Sequence, residues 1–266
     1  MIESLLLAVT RVSTFAGDKP LTGATGFFYE RDDKLFLVTN RHVVLDEPSD
    51  HRPDGLTIDL HTDPDNAPQT AEHQISLYED GTPQWREGTD SAGVVDVVVI
   101  ELDRDALPPG VHLRSFNAAS LLEKLDRIEV GAPVLVVGFP LGFHDALHHL
   151  PVARQAVVAS AFGIRFQGSG YFLTDARLHR GMSGAPVVAR RSRAGSGRED
   201  LPWILLGVHA SRMDVSNRDE AQDERLDLNC AWYADIIQTL TDPPSEPAAA
   251  APAPARQATA AGEQVA

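Results

Sequence analysis

Apolar residues in this chain fall into short runs separated by Gly, Pro and Asp turns, with little helical spacing. Residues 5–12, 26–30, 35–39, 56–61, 74–78 and 94–102 read as strands of a first half, punctuated by Asp54-Gly55, Asp80-Gly81 and Pro108-Pro109-Gly110. Residues 132–139, 152–162, 171–176, 185–189, 203–209 and 226–232 read as strands of a second half. Between them lies 108–130, where Ala118-Ala-Ser-Leu-Leu-Glu-Lys-Leu reads as a short helical turn. The pattern predicts an all-β fold of two antiparallel six-stranded β-barrels, 1–110 and 111–242. Trp232, Ile236, Ile237 and Leu240 fall at helical spacing and predict a C-terminal helix closing the second barrel. Residues 190–200, polar and rich in Gly, Ser and Arg, read as a hairpin loop. From 243 to 266 the chain is rich in Pro and Ala and reads as a disordered tail.

Composition narrows the class. The chain has 266 residues, 43% hydrophobic and 23% charged, as in ordinary globular proteins. Its net charge of −15 argues against nucleic acid or an anionic membrane as partner. A single cysteine, Cys230, leaves no intrachain disulfide and reads as a small buried hydrophobe. The start of the chain carries neither a basic leader nor a long apolar run, so the expected location is the cytoplasm.

The chemistry is carried by three residues in the order His, Asp, Ser. His42 ends the run Leu35-Phe-Leu-Val-Thr-Asn-Arg-His42, and Asp96 interrupts Val94-Val-Asp96-Val-Val-Val-Ile100. An aspartate among valines is costly to bury without a partner, and His42 is the partner expected. Ser183 stands in Gly181-Met182-Ser183-Gly184-Ala185-Pro186, a glycine-flanked turn before an apolar strand. In this reading Ser183 attacks a peptide carbonyl, His42 takes and returns the proton, and Asp96 orients the imidazole. The N–H groups of Gly181 and Ser183 form the oxyanion hole. His144 and His148 have i, i+4 spacing but no third ligand set, so no metal is expected, and no cofactor.

With these motifs in place, the chain resembles trypsin-fold serine peptidases, closest to HtrA (Deg) protease domains. Thr174-Asp175-Ala176-Arg-Leu-His-Arg180-Gly181-Met-Ser183-Gly184 is similar to that family's T-D-A-x-x-x-R-G-x-S-G, and Val38-Thr39-Asn40-Arg41-His42-Val43-Val44 to V-T-N-x-H-V-V. Val95 to Ile100 stands where the family has S-D-I-A-L-I, and Val136-Val137-Gly138-Phe139-Pro140 resembles A-I-G-N-P. The resemblance implies a serine endopeptidase acting on a polypeptide substrate through an acyl-enzyme. Two alternatives stay open: a trypsin-fold binding or scaffold module with little turnover, and a latent protease switched on by a protein partner. Such a partner would act where HtrA-type enzymes can turn the Arg-Gly peptide, here Arg180-Gly181, and empty the oxyanion hole.

The departures from the family carry their own expectations. HtrA proteins carry PDZ domains after the protease, where this sequence has the Pro/Ala-rich stretch 243–266, so substrate capture through PDZ domains is not expected. HtrA trimers use a long aromatic-bearing N-terminal segment that this sequence does not show, so a monomer is expected. His209, in Gly207-Val208-His209-Ala210-Ser211, replaces the family's Asn and resembles the pocket histidine of glutamyl endopeptidases. Arg177 stands six residues before Ser183, where trypsins place the pocket floor, and it disfavours Lys or Arg at P1. Either Arg177, His209 and Ser211 line a pocket that favours Glu, Asp or Gln, or Arg177 faces solvent and His209 is a packed strand residue.

Overall fold

The structure is a computed structural model and describes residues 2–122, 128–191, 201–212 and 227–243. The order of strands is β1 (Val9–Ala16), β2 (Lys19–Arg31), β3 (Lys34–Thr39), β4 (Gly55–His61), β5 (Thr70–Ser76), β6 (Tyr78–Glu79), β7 (Thr82–Pro83), β8 (Trp85–Arg86), β9 (Thr89–Asp90), β10 (Gly93–Val94) and β11 (Val98–Leu102) in the first half. One helical turn, α1 (Arg41–Val44), follows β3. The second half contains β12 (Pro133–Gly138), β13 (Val152–Val158), β14 (Tyr171–Asp175), β15 (Pro186–Arg190), β16 (Trp203–Arg212), β17 (Leu228–Tyr233) and the helix α2 (Ile236–Thr241).

The chain is all-β in architecture, as its turn-punctuated runs imply. In the second half, β12-β13-β14-β17-β16-β15 close into a six-stranded barrel. In the first half, seven strands form one antiparallel sheet in the order β5-β4-β1-β2-β3-β11-β8. That is one strand more than six, because the two-residue β8 pairs with β11 at the sheet edge. β6-β7 and β9-β10 are small separate hairpins.

The strands beside the second half are apolar on both faces because both faces are covered. Side chains alternate along a strand, so neighbours enter different cores. In β3, Leu35 and Leu37 pack into the interior of the first half, whereas Phe36 and Val38 pack into a seam shared with the second. β11 repeats this, with Val98, Ile100 and Leu102 inside and Val99 in the seam. From the other side, Val137, Val188, Leu205 and Val208 enter the same seam, while Val136, Val187 and Leu206 fill the second barrel. The two halves are thus joined by a third apolar core of about the same character as their own.

Two expectations need correction. The run 94–102 is not one strand: Val94 pairs with Thr89 in the β9–β10 hairpin, and β11 begins only at Val98. Residues 95–97 form a bend that buries Val95 and Val97 and leaves Asp96 half-buried. The C-terminal helix does not close the second barrel, which its strands close by themselves. Instead α2 lies against β11, placing Ile237 and Leu240 in the seam. Its end is held by the first sheet: Arg31 donates to Gln238 O at 2.6 Å and pairs with Asp242, and Arg86 donates to Asp242 O at 3.0 Å. The helical turn expected from Ala118 is a 3-10 turn, Ala118–Ser120, capped by Asn117. Most of the expected hairpin loop (192–200), residues 213–226 and the tail from 244 to 266 lie outside the described residues. Among the described residues, no helix is long and apolar enough to cross a membrane.

Candidate active site

β3 and β11 bring His42 and Asp96 together. Their register pairs Thr39 with Val98, and continuing it past the strand ends sets Arg41 opposite Asp96. The helical turn at Arg41 then carries His42 onto the carboxylate. The His42 N–H donates to Asp96 Oδ1 at 2.9 Å, and His42 Nδ1 lies 2.7 Å from Asp96 Oδ2. The fully buried Asn40 holds the backbone that carries the carboxylate, its Nδ2 donating to the Asp96 main-chain carbonyl at 2.6 Å. Burial opposes a charge on the His42 ring, but the Asp96 hydrogen bond, the Asp96 charge and the Asp46 charge together outweigh it, so the pKa is raised.

Ser183 is presented by a turn anchored in the second barrel. Met182 is fully buried in that barrel's core, and its N–H donates to His179 O. Gly184 N–H donates to His209 O at 2.9 Å and His209 N–H to Ala185 O at 2.8 Å, stitching the turn to β16. Gly181 and Gly184 have φ of 91° and 85°, a region that glycine adopts at least cost. The Ser183 hydroxyl donates to Ala210 O at 3.1 Å and makes no hydrogen bond to His42.

The first sheet grips the same turn. Thr25 N–H donates to Ser183 O at 2.9 Å, Thr25 Oγ1 to Gly181 O at 2.7 Å, and Thr39 Oγ1 to Thr25 O at 2.8 Å. A Cβ at Gly184 would strike Thr25 O and Thr39 Oγ1, so only glycine permits this approach. Among the described residues, neither Gly181 N–H nor Ser183 N–H donates to a protein acceptor. His42, Ser183 and Gly181 line one open cleft of about 1060 Å³, together with Ala24 of β2, Leu141 and Arg180. The arrangement is a carboxylate-oriented imidazole and a hydroxyl sharing a cleft, with two unused N–H donors beside the hydroxyl.

Residues 24–194 match the model of the trypsin-like peptidase domain family. The chain belongs to this family. The stretch matched takes in His42, Asp96 and Ser183. Solved structures are similar to the chain at low identity. The chain is 16% identical to the serine endoprotease from Yersinia pestis, covering 88% of this chain and 61% of that one, with a TM-score of 0.50. It is 18% identical to the Rv3671c protease from M. tuberculosis in its active form, covering 89% and 80%, with a TM-score of 0.48. An inactive-form mutant of Rv3671c gives 16% identity, 89% and 85% coverage and a TM-score of 0.45. No curated protein sequence matches the chain.

In this trypsin-like peptidase the remaining candidates separate. His209 is 3% exposed on β16, next to Ala210, whose carbonyl holds Ser183. Burial, and then the charge on His42, push its pKa down to about 3, so the ring is neutral. Its Nδ1 is buried with no hydrogen-bond partner among the described residues. Arg177 is exposed, and its carbonyl accepts from Arg154. The backbone of Ser211 lies in β16, at a register shift against β17 between His209 and Arg212; its side chain lies outside the description. Cys230 is buried, and burial pushes its thiol up to about 11, far from a thiolate nucleophile. His144 and His148 do not converge: His144 Nδ1 meets Gly142 O at 2.7 Å, and His148 Nδ1 meets Asp145 Oδ2 at 2.7 Å. Sequence reasoning missed Thr25 and the carbonyl of Ala210. Neither has a local signal, because each acts through a contact with a turn far away in the chain.

Proposed function

We propose that this trypsin-like peptidase hydrolyses peptide bonds within polypeptides, with Ser183 as nucleophile, His42 as general base and then acid, and Asp96 as the orienting carboxylate. The two-point contact between His42 and Asp96 carries the reading. It fixes the proton on Nδ1, so Nε2 is left as the base. Attack requires the Ser183 hydroxyl to release Ala210 O and turn to His42 Nε2. The tetrahedral oxyanion would then take the unused N–H groups of Gly181 and Ser183, each worth roughly 2.7–4 kcal/mol. His42 next protonates the leaving amine, and water repeats the sequence on the acyl-enzyme.

The reading extends to Glu, Asp or Gln at P1. A neutral, buried His209 with a ring nitrogen unpartnered among the described residues offers a donor to a side-chain oxygen. The residue six before Ser183 is no acid and gives Lys or Arg no counter-charge. One observation favours a resting form completed by substrate or a protein partner: the hydroxyl is engaged with Ala210 O. A fluorophosphonate probe should label wild type at Ser183 and leave Ser183→Ala unlabelled, and a peptide library should show cleavage after acidic or Gln residues that His209→Ala loses. Labelling that survives Ser183→Ala would remove the assignment. A labelling rate that climbs on adding a peptide would identify the resting form.

A further inference from the structure

One buried hydroxyl of the first sheet controls both peptide groups that flank Gly181. Thr25 is fully buried in β2. Its Oγ1 donates to Gly181 O at 2.7 Å and accepts from Phe139 N–H at 3.1 Å. Two residues on, Leu141 N–H donates to Arg180 O at 2.6 Å. The carbonyl before Gly181 and the carbonyl after it are therefore both pinned. A peptide unit is planar, with its C=O and N–H pointing in opposite directions. Holding Arg180 O on Leu141 turns the Gly181 N–H away from Leu141, and holding Gly181 O on Thr25 fixes the next plane. Glycine, the most permissive residue, is left with no torsional freedom.

Both pins depend on the same oxygen. Phe139 N–H hangs on Thr25 Oγ1 and so sets the position of the turn that presents Leu141, a turn closed by Gly142 N–H donating to Phe139 O at 3.0 Å. The surroundings leave room for nothing else: a Cβ on Gly138 would run into Thr25 Oγ1, and one on Gly181 into Phe139 O. We infer that Thr25 is a positioning residue for the oxyanion hole, its hydroxyl holding the Arg180-Gly181 peptide in the orientation that presents the Gly181 N–H. The inference rests on the reading of Ser183 as nucleophile and Gly181 N–H as oxyanion donor. It makes the first sheet, which supplies His42 and Asp96, a supplier of geometry to the second barrel's half of the site as well.

Thr25→Val keeps the shape and removes the hydroxyl, Thr25→Ser keeps the hydroxyl, and Thr25→Cys keeps the volume with a weak donor. In the full chain, Thr25→Val should lower kcat about 10- to 100-fold with KM changed by less than about twofold. Affinity for a peptide aldehyde, whose adduct needs the same donors, should fall in parallel. Thr25→Ser should restore both, and Thr25→Cys should fall between. Deuterium exchange at the Phe139 and Leu141 amides should quicken about tenfold in Thr25→Val. A lowered Tm with wild-type kcat and aldehyde affinity in the folded fraction would make Thr25 merely structural and overturn the inference. If Thr25→Val does not fold, equal kcat in Thr25→Cys and wild type overturns it. A wild type that neither cleaves nor takes up the fluorophosphonate would sink the proposed function instead. The inference falls with it, whereas an active wild type with unchanged exchange, kcat and aldehyde affinity in Thr25→Val overturns the positioning role alone.

Discussion

His42 meets Asp96 twice, through its backbone N–H at 2.9 Å and its ring Nδ1 at 2.7 Å, so one carboxylate holds both the main chain and the side chain of the same residue. Asp96→Asn keeps the shape but loses the charge and one acceptor. The tautomer is then no longer fixed, and kcat should fall about 10⁴-fold with the fold retained. The pH profile tests the same contact. With His42 as the proposed base, the ring must be neutral to act, and its pKa lies above the ordinary 6.5, so activity should disappear as pH falls through a point above that value. In Asp96→Asn the residual activity should keep to lower pH. Steady-state rates from pH 5 to 9 for both proteins, beside their circular dichroism, settle it; an acid limb that does not move would detach Asp96 from the titration.

His209 predicts a different pH dependence, in stability. Its ring is neutral in the folded chain down to about pH 3, whereas in the unfolded chain it takes a proton below about 6.5. The unfolded state binds more protons in that window, so stability falls as pH drops from about 6.5 towards about 3, on the order of 1 kcal/mol for each pH unit. His209→Phe removes the group, and denaturant midpoints measured at pH 7, 5.5 and 4 should then change less steeply than in wild type. Equal slopes would show that some other group titrates.

Gly184 and Gly131 share a φ of 85° but not their surroundings. A Cβ on Gly131 meets nothing within 4 Å, whereas one on Gly184 strikes Thr25 O and Thr39 Oγ1. Gly131→Ala should therefore cost only the backbone conformation, roughly 1 kcal/mol. Gly184→Ala should cost at least about 2 kcal/mol more, because the two sheets must part to admit the methyl group. It should also abolish labelling of Ser183. Comparable Tm losses for the two variants would mean that the close approach between sheets contributes nothing.

The three candidate residues that the fold brings to one cleft each sit in a local pattern: a histidine ending a strand, an aspartate among valines, a serine between glycines. The strands were legible from local pattern as well, since both-face burial leaves unbroken apolar runs such as Leu35 to Val38. That same continuity hid the bend at Asp96, where the valines on either side are buried for tertiary reasons and not as a ladder. α2 was readable as a helix but not in its placement, because Ile237 and Leu240 suit either half equally well. Thr25 was invisible: between Ala24 and Gly26 it is an ordinary strand residue, and its partner Gly181 lies 156 positions away.

The strap formed by α2 has a consequence for how the chain comes into being. During synthesis the first sheet emerges from the ribosome early, yet the side of β11 that faces Ile237 and Leu240 stays bare until residues 236–241 follow. The clasp of Arg31 and Arg86 on Asp242 cannot form before residue 242 has been made. A half-made chain thus carries the His42 imidazole and the Asp96 carboxylate before the Ser183 hydroxyl exists, and the seam that joins the two halves is filled only once residues from both ends of the order of synthesis are present.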